Sequence, residues 1–173
     1  MEEVILVTED NEPIGRMEKM EAHRKGVLHR AFSIFIVNER KEMLLQQRAK
    51  TKYHSSGLWT NACCSHPRPG EETEAAALRR LYEELGFTTP VSKIFDFQYN
   101  AAFDNGLTEH EYDHVYFGQY TGKLNPNPGE VQDYCYKKME EISNMIETHP
   151  HKFTAWFRIA FPKILKWMES REE

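Results

Sequence analysis

Residues 72–85 restrict the fold more than any other stretch, because they spell out one amphipathic helix with both ends marked. Leu78, Leu81, Tyr82 and Leu85 recur at i, i+3, i+4 and i+7 and make a single apolar stripe. Glu71, Glu72 and Glu74 crowd the start, where the helix dipole favours negative charge, and Gly86 stands where a left-handed cap belongs. A helix with one apolar stripe must cover an apolar surface. Strand-like segments supply it at 4–8, 31–37, 43–47, 91–102 and 112–120, with turns at Glu9-Asp10-Asn11-Glu12-Pro13, Asn38-Glu39-Arg40-Lys41-Glu42 and Asp104-Asn105-Gly106. Residues 43–47 are expected to pair back on 31–37 as a hairpin. A second helix is predicted over 153–168 from its apolar spacing, with Pro162 expected to kink or restart it. Strands and helices interleave irregularly, with several antiparallel connections. The expected architecture is therefore an α/β sandwich with a mixed β-sheet, in one domain over 1–173. No Gly-x-Gly-x-x-Gly follows a strand, so dinucleotide binding has no support.

Charge and cysteine content narrow the function classes. Lys and Arg number 22 against 27 Asp and Glu, a formal net charge of −5, which disfavours nucleic acid as partner. No stretch approaches the roughly 18 apolar residues of a membrane span. Met1-Glu2-Glu3 lacks the basic-then-apolar plan of a signal peptide. Cys63, Cys64 and Cys135 are a poor disulfide framework, and a reducing, cytoplasmic setting is expected.

The chemistry is concentrated in Thr60-Asn61-Ala62-Cys63-Cys64-Ser65-His66-Pro67, placed just before that first helix. A thiol and an imidazole thus precede adjacent carboxylates, Glu83 and Glu84. Pairing of Arg79 with Glu83 and of Arg80 with Glu84 at i,i+4 explains those charges as surface structure. It leaves the cysteine and histidine unexplained. A hard ion such as Mg²⁺ takes oxygen ligands and bridges to phosphates, work that Glu83 and Glu84 suit. His23, His29, His66, Glu109 and Glu111 form a second group. Glu109 and Glu111, at i and i+2 on a strand, share a face, whereas His110 points the other way. Such an N/O donor set suits Mn²⁺, Zn²⁺ or a similar ion. With eight histidines in the chain, chance clustering competes with that reading. His54 sits on a loop with no assigned role.

These motifs resemble the Nudix superfamily and, within it, the type I isopentenyl-diphosphate isomerases. The box-like segment runs over 65–87. The Thr-Asn-x-x-Cys-x-His-Pro signature lies at 60–67, with His29-Arg30-Ala31-Phe32-Ser33 and the Glu-x-Glu at 109–111 also matching. The likeness covers nearly the whole chain. Two departures from the hydrolase box stand out: Ser65 replaces its first Gly, and Arg79-Arg80 replaces Arg-Glu. An Arg in place of a metal-binding or water-activating glutamate favours the isomerase over a pyrophosphohydrolase of a nucleoside diphosphate derivative, which is the alternative. A third possibility is a binding module without turnover.

The resemblance implies a Nudix-like α/β/α sandwich and the interconversion of isopentenyl and dimethylallyl diphosphate through a tertiary carbocation. It implies Cys64 and Glu111 as the acid/base pair, Tyr99 as the hydrogen-bond partner of that carboxylate and Trp156 with its ring toward the cation. Spacing alone makes Trp156 a core residue. The metal ligands implied are His23, His29, His66, Glu109 and Glu111 for Mn²⁺, Zn²⁺ or Mg²⁺. A diphosphate-bridging Mg²⁺ would sit at Glu84 and the Cys64 carbonyl, with Lys19, Arg48, Lys52 and Arg80 on the phosphates. Cys64, near a helix N-terminus, is expected to favour the thiolate. No flavin, nucleic acid or membrane partner is implied, and the chain is expected to be a monomer or homodimer.

Overall fold

A computed structural model describes residues 2–171; Met1 of the acidic start and the last two residues of the 1–173 span lie outside it. Nine strands and four α-helices are formed among the described residues. The organising strand is β3 (His29–Val37), preceded by β1 (Glu3–Val7), β2 (Pro13–Glu18) and the short α1 (Lys19–Lys25). β4 (Met43–Arg48), β5 (Trp59–Thr60) and β6 (Cys63–Ser65) follow it. Then come α2 (Thr73–Leu85), β7 (Val91–Ala102), β8 (Thr108–Gln119), β9 (Val131–Lys137), α3 (Met139–Thr148) and α4 (Ala155–Arg171).

β3 pairs in parallel with β8 over nine residues, from His29↔Glu111 to Val37↔Gln119. It pairs antiparallel with β1, β6 and β4. β7 and β8 form a long antiparallel hairpin around the Asp104-Asn105-Gly106 turn. The sheet is therefore mixed, as expected from the connections. The predicted hairpin of β3 and β4 touches at one pair only, Val37↔Met43, and β4 makes its main ladder with β9. β2, β9 and α3 were not legible beforehand, because Pro13–Glu18 and Val131–Lys137 are largely solvent-facing and lack a clear apolar alternation.

Alternation along β3 builds two cores. Phe32, Ile34 and Ile36 pack with Leu44 against Ala76, Ala77, Leu81 and Leu85 of α2. Phe35 and Val37 pack with Met43 and Leu45 against Ile142 of α3 and Phe157, Phe161 and Ile164 of α4. Helices thus cover both faces of the sheet, an α/β/α sandwich. The stripe predicted for α2 is rotated. Tyr82 is 64% exposed, while Ala76, Ala77 and Glu84 face inward. Gly86 adopts φ 74°, and an added Cβ would lie 2.6 Å from the Asn125 carbonyl oxygen, so the cap glycine is required twice over. α4 runs through Pro162 as one helix, which leaves out the restart, one of the two outcomes expected there.

Candidate active site and metal centre

Strand register alone gathers the chemistry. His29 on β3, Glu111 on β8 and Tyr99 on β7 lie in one row across three adjacent strands. Cys64 on β6 faces Ser33 on β3, one edge over. His66 follows β6 directly, and α1 brings His23. The predicted acid/base pair, Tyr99, Trp156 and Arg48 all line one small cavity with Tyr53, His54, Ser65, His66 and Glu109. Its volume of ≈ 20 Å³ holds about one water, so the site is shut against any larger ligand.

The two glutamates are arranged alike. The Tyr99 hydroxyl donates toward Oε1 of both Glu109 and Glu111. Oε2 of Glu111 faces Nε2 of His66 at 2.7 Å and of His29 at 3.2 Å. Oε2 of Glu109 faces Nε2 of His54 at 2.7 Å and of His23 at 3.8 Å. Nδ1 of His23 lies 2.7 Å from the Lys19 carbonyl oxygen, and Nδ1 of His29 lies 2.8 Å from that of Val27. A carbonyl only accepts, so these Nδ1 atoms carry protons, which turns Nε2 of each ring toward the carboxylates and leaves it as the nitrogen that would ligate a metal once it gives up its own proton. Nε2 of His23 and of His54 are buried without a hydrogen-bond partner. Imidazole lone pairs and carboxylate oxygens packed together in a dry site fit a divalent cation between them.

Donor atoms within 4.8 Å of one another form two groups: His23, His29, His66 and Glu111, and His23, His54 and Glu109. His23, His29, His66 and Glu111 thus come together in one group, and Glu109 stands with His23 and His54. Sequence reasoning missed His54, since nothing local marks a loop histidine. It also missed Asp113, although Glu109-x-Glu111-x-Asp113 continues the same alternation. Ser33 donates to Asp113 Oδ2 at 2.8 Å.

Charge states follow from burial and neighbours. Burial opposes the charge on Glu111, but His66 and His29 outweigh it and hold its carboxyl well below the usual range. Glu109, pushed up by burial and by Glu111, is brought down to about 2 by His23 and His54. Burial lowers His66, whereas the carboxylates of Glu109 and Glu111 overcome burial at His23 and raise it. Burial and the Glu109 and Glu111 charges push the Tyr99 hydroxyl well up, which keeps it a donor.

Cys64 corrects an expectation. It lies on a strand, and α2 begins only at Thr73, eight residues further along the chain than Ser65, the end of that strand. Burial, helped by Asp113, pushes its pKa up, and the residue is held as a thiol. Its S–H donates to Asn61 Oδ1 at 3.1 Å, and it accepts the Trp156 indole N–H at 2.9 Å. Asn61 is locked for this role because its amide N–H₂ is already given to the Ile34 and Cys63 carbonyls. Cys63 is fully buried among α2 and β3 side chains, the bland role.

The basic residues meet through shared partners. The Arg48 guanidinium stacks 5.2 Å over Trp156 and donates to the His54 carbonyl. The Lys19 and Lys52 ammonium groups lie 4.7 and 5.9 Å from the Tyr53 ring centre. Lys19 also pairs with Glu2 at 3.0 Å. Lys52 and Arg80 share Glu130. Arg80 further holds Glu83 and Glu84, and Gln46 donates to the other oxygen of Glu84. Glu83, paired with Arg79 and Arg80 on the outer side of α2, joins no donor cluster. Glu84 is buried beside Arg80, whereas Glu83 is the more exposed of the two.

The family model "NUDIX domain" matches residues 27–157. An isopentenyl-diphosphate Delta-isomerase of Pectobacterium atrosepticum is 52% identical over 94% of this chain and 90% of its own length. Those of Serratia proteamaculans and Photorhabdus laumondii are 47% and 45% identical, over 90% and 96% of this chain and 87% and 98% of theirs. In fold, DR0079 of Deinococcus radiodurans superposes with a TM-score of 0.79 at 17% identity, covering 94% of this chain and 98% of that one. A MutT protein of Methanosarcina mazei gives 0.67 at 20% identity, over 84% and 96%. No helix among the described residues is long and apolar enough to cross a membrane. The chain belongs to the NUDIX domain family and, within it, to the isopentenyl-diphosphate Delta-isomerases.

Proposed function

We propose that the chain moves the carbon–carbon double bond of isopentenyl diphosphate to give dimethylallyl diphosphate, with Cys64 and Glu111 as the reacting acid and base. The observation that carries this reading is geometric: the Cys64 thiol and the Glu111 carboxylate line one small, buried cavity together with Tyr99 and Trp156. In the forward direction the Cys64 S–H gives its proton to the terminal alkene carbon. A tertiary carbocation results. Glu111 then takes a proton from the neighbouring methylene, and the double bond forms there. Positioned acid–base groups of this kind contribute roughly 10²–10⁴-fold each.

Other residues serve these two. Trp156 donates to the sulfur and so stabilises the thiolate left after proton transfer. Asn61 aims the S–H, and Tyr99 fixes the orientation of Glu111. Arg48, Lys19, Lys52 and Arg80 are the candidates for the diphosphate. A Mn²⁺, Zn²⁺ or Mg²⁺ ion held by His23, His29, His66 and Glu111 would orient the base and hold its negative charge. Glu84 is the candidate for a Mg²⁺ that arrives with the diphosphate. Since the cavity holds about one water, substrate entry requires the 49–58 segment, which carries Tyr53 and His54, to move aside.

Hydrolysis of a nucleoside diphosphate derivative is disfavoured because Arg80 stands where the hydrolase box carries a metal-binding or water-activating glutamate. The test is Cys64→Ala: it should abolish isomerisation. Retained turnover of isopentenyl diphosphate in that variant would reject the assignment of the acid.

A further inference from the structure

We infer that Glu130 is an internal counter-anion, which holds the cations Lys52 and Arg80 in the place of a diphosphate and must be displaced for the diphosphate to bind. Glu130 lies just before β9, apart from both of its partners: Lys52 belongs to the segment between β4 and β5, and Arg80 to α2. Its Oε2 meets the Lys52 ammonium at 2.5 Å, and its Oε1 meets Nη2 of Arg80 at 3.2 Å. Each carboxylate oxygen takes one cation, so the group bridges two elements as the oxygens of one phosphate would. The same Nη2 meets Glu84 at 2.8 Å, so Glu130 makes the longer of the two contacts there. Nε of Arg80 and Nε of Arg48 are buried with no hydrogen-bond partner. Guanidinium donors that the chain's own acceptors leave unsatisfied point to a further anionic ligand.

Only the side chain of Glu130 has to move. Its main chain is fixed, the N–H donating to the Asn127 carbonyl at 2.9 Å and the C=O accepting from the Ala49 N–H at 3.0 Å. The side chain is 24% exposed, so the carboxylate can turn into water without disturbing the fold. Ion pairs this exposed are weak and exchange readily. A diphosphate on the same two cations would set its charge beside the carboxylate, and like charges at close range repel. Glu130 therefore competes with the substrate. It keeps Lys52 and Arg80 together and their charges matched until the anion arrives, and it lowers affinity for that anion. The inference rests on the reading of Lys52 and Arg80 as partners of the diphosphate. Glu83 offers a comparison, because it meets Nη1 of Arg80 at 2.9 Å but pairs with Arg79 and not with Lys52.

The test is a calorimetric titration of the full chain with inorganic pyrophosphate at a fixed excess of Mg²⁺. Glu130→Gln keeps the size of the side chain and one accepting oxygen but removes the charge. It should bind pyrophosphate roughly three- to tenfold more tightly than the wild-type chain, the scale of partly exposed ion pairs. KM for isopentenyl diphosphate should fall by a similar factor. Glu83→Gln removes one charge from the same guanidinium and should tighten binding clearly less. Unchanged or weakened pyrophosphate binding by Glu130→Gln, with circular dichroism unaltered, would overturn the inference and make Glu130 a support for the two cations. Equal tightening by both variants would overturn it too, since loss of any nearby negative charge would then suffice. Pyrophosphate bound by none of these proteins would overturn the diphosphate reading and the inference with it. Tightened binding in a Glu130→Gln chain whose wild type does not isomerise would support the inference and count only against the proposed reaction.

Discussion

Trp156 gives its indole N–H to the sulfur of Cys64 across 2.9 Å. An aromatic residue on the apolar stripe of α4 is thereby both core and site. At 2% exposure it fills the space between helix and sheet, while its polar edge is fixed on the Cys64 thiol and its face carries the Arg48 guanidinium. Spacing alone pointed to core and the family likeness pointed to the site; the ring is buried and also lines the small cavity.

Trp156→Phe separates these roles, because it keeps the ring and removes the donor. A hydrogen bond to a charged group is worth about 1.5–3 kcal/mol. If the thiolate is formed during turnover, kcat should fall about ten- to hundredfold with KM little changed. Steady-state kinetics with isopentenyl diphosphate check this. An unchanged kcat would mean that the indole N–H does not act on the sulfur in the rate-limiting step.

Tyr99→Phe removes the hydroxyl that touches Oε1 of both glutamates. Partners that orient metal-bound carboxylates typically contribute 10–100-fold in metal affinity. Competition against a chelator of known affinity should show a loss in that range, with little change in the melting curve of the metal-free protein.

The sheet, α2 with its cap and α4 were legible because each follows a hydrophobic period with clear ends. The donors were legible where a spacing rule applied, as for Glu109 and Glu111. His54 was not, because its partner Glu109 is 55 positions away in the chain and only the fold brings the two together. The thiol state of Cys64 was misjudged for the same kind of reason. Nearness to α2 in sequence suggested a dipole, but the strand β6 and the loop after it carry the sulfur into a buried place beside Asp113.

Acid sensitivity should follow the carboxylates tied to arginine and lysine. Hydrogen bonds from Arg79 hold Glu71 below the ordinary 4.5. Burial raises Glu130, but Lys52 and Arg80 outweigh it and bring it below the same value. A carboxyl depressed in the folded state stabilises above its unfolded pKa and loses that contribution as pH falls through the folded one. Thermal melts should therefore decline progressively below about pH 4.5, the ordinary value from which both groups are displaced. Glu71→Gln should melt lower at neutral pH and show a shallower acid decline; an identical pH profile would remove Glu71 from the explanation.

Cys64→Ser keeps a hydroxyl where the thiol stands but replaces it with a far weaker acid. Its kcat should fall by roughly 10²–10⁴-fold, the range for loss of a positioned acid. Binding of dimethylallyl diphosphate, followed by calorimetry, should be retained. Loss of binding along with turnover would instead assign Cys64 to substrate binding.

The central claim is most directly tested by a proton NMR time course of the purified chain with isopentenyl diphosphate and Mg²⁺ in D₂O, read beside phosphorus NMR. The expected result is dimethylallyl diphosphate with deuterium incorporated and no phosphate released. An unchanged alkene in metal-loaded protein, or release of phosphate in place of isomerisation, would contradict it.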